Sequence, residues 1–151
     1  MIRRLQRHDY DQICDLMIDY SRESGMRDYQ IADFPRDHAY QVLIMCEKRG
    51  ISFVSQEGDK ITGFILSMFN PDIWLPKIIR LREVAWYVAR SHRGGSTGAK
   101  LFHRYCQAAD QEVDSGRITG YTISKLATSA DFNYESRGFK FVESTWFKGD
   151  R

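Results

Sequence analysis

Apolar positions recur along this chain with two different periods, and the switches between them predict its elements. Ile2 to Leu5 reads as a short first strand. Asp9 is placed to cap a helix in which Ile13, Leu16, Met17 and Tyr20 repeat at helical spacing, ending near Ser24 and Gly25. Pro35 stands near the start of a second helix with Ala39, Val42, Leu43 and Cys46 as its buried stripe and Gly50 as its stop. The period then drops to two. Ile51 to Ser55 and Lys60 to Phe69 are rich in β-branched and aromatic residues and flank the turn residues Glu57, Gly58 and Asp59, so they predict a hairpin. Pro71 and Pro76 make Asn70 to Lys77 a loop around Trp74, and Leu81 to Ala89 resumes as a strand. From Ser96 to about Ser115 the residues Leu101, Phe102, Tyr105, Cys106, Ala109 and Val113 share one helical face, closed by Gly116. Ile118 to Leu126 is expected as a strand, Ser129 to Arg137 as a short helix broken by Gly138, and Phe139 to Lys148 as a final strand. The order β-α-α-β-β-β-α-β-α-β predicts one α/β (α+β) domain over residues 1–151, with a mixed, mostly antiparallel central sheet flanked by helices.

Composition narrows the function classes. The 151 residues are 42% apolar, enough for one core. With 28% charged residues and a formal net charge of +2, no general nucleic-acid or membrane-surface role is called for. Lys77, Arg80 and Arg82 do cluster, but with Ile78 and Ile79 between them they read as a solvated edge. Cys14, Cys46 and Cys106 are odd in number, far apart and without metal-ligand spacing, which suggests three reduced thiols, no metal and a cytoplasmic protein. No apolar run approaches the roughly 18 residues of a membrane span.

The chemistry concentrates in YVARSHRGGSTGAKLF, Tyr87 to Phe102, which passes from strand to helix through glycines and small hydroxyls. Such a run at a helix mouth presents several backbone N–H groups in one direction, backed by the positive end of the helix dipole, and so suits an anion such as a phosphate. A Walker-type loop is excluded because Ala99, Lys100 and Leu101 follow Gly98 where Lys-Ser/Thr is needed. A dinucleotide fingerprint is excluded because these glycines follow a fourth strand and not the first. A plain helix start capped by Ser96 or Thr97 is the remaining structural alternative.

The stretch resembles the acetyl-coenzyme A motif of the GNAT acetyltransferase superfamily, Gln/Arg-x-x-Gly-x-Gly/Ala, with Arg93, Gly94, Gly95, Ser96, Thr97 and Gly98 filling it. Ser96 stands where the first motif glycine is usual. ADFNYESRGFKFVE is similar to the family's Ala-x-x-x-Tyr-x-x-x-Gly-Phe segment, and EVAWYVARSHRGG to small acetyltransferases carried by bacteriophages. The resemblance implies that Trp86, Tyr87 and Val88 splay from the neighbouring strand and bind the pantetheine arm through backbone groups. It also implies that Arg93 to Ala99 wrap the pyrophosphate of acetyl-coenzyme A, and it puts Tyr134 at the general-acid position. Ala127 replaces an Asn common in relatives, leaving Thr128 or Ser129 to supply polar contacts.

A phenol can protonate a departing thiolate, and an amine must lose a proton before it attacks, which a carboxylate usually accepts. Glu83, expected to share a strand face with Ala85 and Tyr87, is the candidate base; its alternative is a solvated charge at a strand end. Likewise Tyr134 could be no more than a half-buried aromatic. His92 and His103 are not assigned catalytic roles. No Cys or Ser has a partnered base, so direct transfer to a primary amine is expected, in a small molecule, peptide or protein. Its acceptor pocket would be bordered by the first two helices and the 70–77 loop, with Asp28, Asp33, Asp37, Tyr29, Phe34 and Trp74. A homodimer is compatible with this reading. The alternative function is a coenzyme A-binding or interaction domain of the same fold with little catalysis.

Overall fold

The computed structural model describes residues 1–25, 33–127 and 129–149. Its elements are β1 (Ile2–Arg4), α1 (Tyr10–Glu23), α2 (Arg36–Lys48), β2 (Phe53–Glu57), β3 (Lys60–Pro71), β4 (Ile79–Val88), α3 (Thr97–Asp114) and β5 (Gly120–Thr122). They form one sheet in the order β1-β2-β3-β4-β5. The first four strands are antiparallel neighbours, and β5 returns across α3 to lie parallel to β4. A mixed, mostly antiparallel sheet between helices is what the alternating periods predict.

The sheet buries both faces. On one side Tyr10, Ile13 and Cys14 of α1 and Leu43 and Cys46 of α2 pack on Val54, Phe64, Leu66, Ala85 and Tyr87. On the other, Leu101, Phe102, Tyr105 and Ala109 of α3 pack on Phe53, Ile65 and Leu81. Each helix presents one apolar stripe at three- and four-residue spacing, and removing that stripe from water is the main drive for docking. Among the described residues no helix is long and apolar enough to cross a membrane.

Asp9 does not cap α1 with its side chain. Its buried carboxylate instead accepts hydrogen bonds from Arg3 Nη2 (2.6 Å) and Nη1 (2.8 Å) and from the Gln6 N–H (2.9 Å). The pair ties β1 to the entry of α1. Gly50 ends α2 by closeness and not by backbone angle: a Cβ there would lie 1.7 Å from the Ser67 carbonyl oxygen.

Opposite Ser67, β4 carries an extra residue. Leu66 pairs with Ala85 and Ser67 with Glu83, so Val84 bulges out, 40% exposed. The alternation of β4 slips there: Leu81 packs on the α3 side, Ala85 and Tyr87 on the α1 and α2 side. Glu83 therefore sits at the slip itself, not on a regular face shared with Ala85 and Tyr87.

The C-terminal expectation requires correction. Ser129 to Arg137 is reduced to one 3-10 turn, Glu135–Arg137, ended by Gly138 at φ 84°. No strand forms among residues 139–149. The apolar residues there come as adjacent pairs, Phe141 with Val142 and Trp146 with Phe147, and Phe141, Val142 and Trp146 are exposed. A strand with one covered face needs alternation, and only Phe139 of this segment reaches the α3-side core.

Candidate active site

The ladder between β4 and β5 covers only Arg80 to Arg82 against Gly120 to Thr122. Beyond it the two chains part, and a cleft of about 420 Å³ opens between them. Its β4 wall is Glu83, Trp86, Tyr87 and Val88; its opposite wall is Ser124 to Leu126 and Ser129 to Phe132, with Tyr134. Arg93, Gly95, Gly98 and Ala99 close one end, and Tyr20 and Glu23 of α1, with Ser24 just after it, line the cleft beside Tyr87.

β4 is paired to β3 along its other edge, with Trp86 opposite Ile65, Tyr87 opposite Phe64 and Val88 opposite Gly63. The edge toward the cleft has no strand partner there, which leaves backbone groups on offer apart from the Val88 carbonyl, taken by Arg93 Nε. The Trp86 indole stacks on Phe102, 5.3 Å between centroids and 15° between planes, and this packing stiffens the strand where its ladder with β5 has ended.

The glycine-rich turn runs from Arg93 to Ser96. Gly94 has φ +83°, a conformation open to glycine at little cost. In α3 the Lys100 N–H bonds back to the Ser96 carbonyl at 2.9 Å, so the N–H groups of Thr97, Gly98 and Ala99 precede it as the helix's N-terminal donors. Ser96 is the N-cap residue but makes no side-chain cap bond. A Cβ on Gly98 would lie 3.7 Å from both Trp86 and Val88, so glycine there leaves the helix mouth open beside β4. These donors and this cradle fit a diphosphate. The Arg93 side chain is turned elsewhere: Nε donates to the Val88 carbonyl (2.8 Å) and Nη1 pairs with Glu23 (2.7 Å).

Glu83 is almost fully buried and accepts a hydrogen bond from the Ser124 N–H at 3.1 Å. Burial pushes its carboxyl up to about 7, against the opposing pull of that bond and of Arg82. Tyr134 is half-buried, its ring against Phe132 at 5.3 Å and edge-on to Phe102 at 5.9 Å. Burial, and then the Glu83 charge, raise its phenol above the ordinary 10. One cleft thus holds a carboxyl poised near neutrality and a phenol that keeps its proton. None of the three thiols lines it, and burial pushes Cys46 up to about 12 and Cys106 up to about 11.

Other expected residues lie elsewhere. Trp74 is 86% exposed in its loop, Phe34 packs against the α1 and α2 core, and Asp33 and Asp37 are exposed; none is among the cleft's described walls. Asp28, Tyr29 and Thr128 are outside the described residues. His92 faces Glu57 at 3.4 Å, and His103 is exposed on α3. Sequence reasoning missed Glu23 and Phe132. Glu23 was signalled by its position one turn beyond Tyr20 on the core stripe.

No protein-family model matches the chain, and no curated protein matches it by sequence. Solved structures do match, end to end. A possible acetyltransferase from Clostridium difficile 630 is 19% identical at a TM-score of 0.72, over 100% of this chain and 97% of that one. A GCN5-related N-acetyltransferase from Ralstonia eutropha JMP134 is 20% identical at 0.71, over 99% and 97%. A predicted acetyltransferase from Clostridium acetobutylicum, solved with acetyl-CoA, is 11% identical at 0.70, over 99% and 95%. At such identities the likeness establishes the fold: this chain has the fold of the GNAT acetyltransferases, as its motifs lead one to expect.

Proposed function

We propose that this protein is an N-acetyltransferase that moves an acetyl group from acetyl-coenzyme A to a primary amine by direct attack. The observation that carries the reading is the coincidence in one cleft of a parted strand edge, a glycine-rich helix mouth, a buried carboxyl and a half-buried phenol. The N–H groups at the start of α3 would hold the diphosphate, and the free edge of β4 at Trp86 to Val88 would hold the pantetheine arm. The thioester supplies an activated acyl carbon and a thiolate leaving group.

Glu83 takes the proton that the amine nitrogen sheds as its lone pair forms the bond to the acyl carbon. Raised to about 7 by burial, the Glu83 carboxyl binds a proton far more readily at neutral pH than an ordinary carboxylate would. As the carbon–sulfur bond breaks, the electron pair leaves with sulfur and the Tyr134 hydroxyl donates its proton to it. Burial beside Glu83 keeps that phenol protonated across the working range, so the donor is loaded at each turnover. Trp86 stacked on Phe102, with Phe132 edge-on to both, would limit water at that end of the cleft.

Calorimetric titration with acetyl-coenzyme A, followed by a free-thiol release assay against small amines, polyamines, amino acids and peptides, tests the reading. Saturable binding with amine-dependent thiol release is expected. Binding without release over the whole panel would make the chain a coenzyme A-binding module; no binding would remove the assignment.

A further inference from the structure

At the end of α1, Glu23 receives hydrogen bonds from two other elements. The Tyr87 hydroxyl of β4 donates to Oε1 at 2.8 Å, and Arg93 Nη1 reaches Oε2 at 2.7 Å. Arg93 also donates from Nε to the Val88 carbonyl at 2.8 Å, and its guanidinium lies 5.0 Å from the centroid of the Tyr87 ring. Tyr20, one turn earlier on α1, meets the same ring edge-on at 5.9 Å. Burial alone would raise the Glu23 carboxyl, but the bonds from Arg93 and Tyr87 and the charges of Arg93 and Arg90 outweigh it and hold the group below its usual range. Glu23 therefore stays ionised and the contact stays made at neutral pH.

Arg93 is the first residue of the glycine-rich turn. Gly94 and Gly95 are exposed, and a Cβ built on either would meet nothing within 4 Å. Nothing packs around Gly94 or Gly95 to shape this part of the turn, and glycine loses more freedom on ordering than any other residue. The anchor must come from outside the turn. We infer that Glu23 is a positioning residue: by fixing Arg93 it holds the Arg93–Ser96 turn that leads into α3 in the form that receives a diphosphate, and it ties that turn to the C-terminal end of α1. This inference rests on the acetyl-coenzyme A reading and adds a residue that the binding motif does not contain. It also gives the Arg93 guanidinium a structural duty, leaving the diphosphate to the backbone donors of α3.

The sign of one substitution separates this from simple electrostatics. Removing a negative charge near an anion site should tighten anion binding if charge alone matters. Glu23→Gln should instead weaken acetyl-coenzyme A binding, by roughly tenfold, because the ligand must then order the turn itself. The KM for acetyl-coenzyme A should rise with kcat little changed, and Arg93→Gln combined with Glu23→Gln should be no worse than Arg93→Gln alone. Glu23→Asp should recover part of the loss. Unchanged or tighter binding in Glu23→Gln, or full additivity in the pair, overturns the inference. Hydrogen exchange at the Gly94 to Ala99 amides of the ligand-free protein decides independently. Faster exchange in Glu23→Gln, with an unchanged unfolding midpoint, supports the anchor, and equal exchange sinks it. If acetyl-coenzyme A fails to bind the parent protein, the functional reading falls while the exchange result still stands or fails alone.

Discussion

Replacing Glu83 by Gln should make the protein more stable at high pH and less active. The fold holds this carboxyl up at about 7 against an ordinary 4.5, chiefly through burial. A gap of that size is worth about 3 kcal/mol. Because the folded value is raised, the contribution is fully present below pH 4.5 and is lost as pH rises through 7. Above that point the folded chain carries an ionised carboxylate out of water. Gln has nearly the same shape, its carbonyl can still accept the Ser124 N–H, and it never ionises. Urea unfolding of parent and variant at several values between pH 4 and 9 should therefore show the variant ahead by up to about 3 kcal/mol on the alkaline side. The advantage should close toward pH 4.5, and taking the difference between the two proteins cancels titrating groups that do not interact with Glu83. In the thiol-release assay the variant should lose the acidic limb centred near pH 7 along with most of its rate. A stability difference that stays constant with pH would show that Glu83 is solvated, and the case for it as the base would fail with it.

Three further substitutions probe the fold and the remaining site residues. Gly98→Glu puts a side chain and a negative charge at the mouth of α3 beside Trp86 and Val88, and should abolish acetyl-coenzyme A binding by calorimetry while the unfolding midpoint stays near the parent's. Tyr134→Phe keeps the ring against Phe132 and Phe102 but removes the proton donor; kcat should fall on the order of 10²–10⁴ with cofactor affinity unchanged, and near-normal turnover would withdraw the acid role. Gly50→Ala forces a methyl group onto the Ser67 carbonyl, 1.7 Å away, with Cys46 oxygen at 2.9 Å, so α2 must move off β3; a loss of about 3 kcal/mol or more is expected in urea, and a loss under about 1 kcal/mol would refute the contact.

The helices and the central strands were legible because each buries one face, and one-sided burial writes a period into the sequence. α1, α2 and α3 lie within a few residues of their expected spans, and so do β2, β3 and β4. The pattern failed where burial stops being one-sided. Val84 interrupts β4 with nothing in its chemistry to announce a bulge, since valine is at home in any strand. The segment from Phe139 onward has strand-forming residues but no alternating face, so it forms no ladder on the open edge of β5, and residue preference alone does not make a strand. Asp9 has the composition of a cap, yet Arg3 lies close enough in the fold to claim its carboxylate.

For the site, the sequence exposed what depends on residue type and hid what depends on meeting across space. Gly94, Gly95 and Gly98 stand out by the absence of side chains, and Tyr134 by its spacing to Gly138 and Phe139. Glu83 looked like a charge at a strand end because its burial comes from β5 and the chain after it, some forty residues later. That burial also accounts for its chemistry: the same parting of β4 and β5 that opens the cleft leaves the carboxyl under Ser124, away from bulk water, where only a raised proton affinity lets it persist. A carboxyl at the solvated end of a strand would hold its proton too weakly to serve as an effective base at neutral pH. The bulge at Val84 and the end of the β5 ladder at Thr122 flank Glu83 on the two edges of β4, where the cleft opens and burial raises the carboxyl's proton affinity.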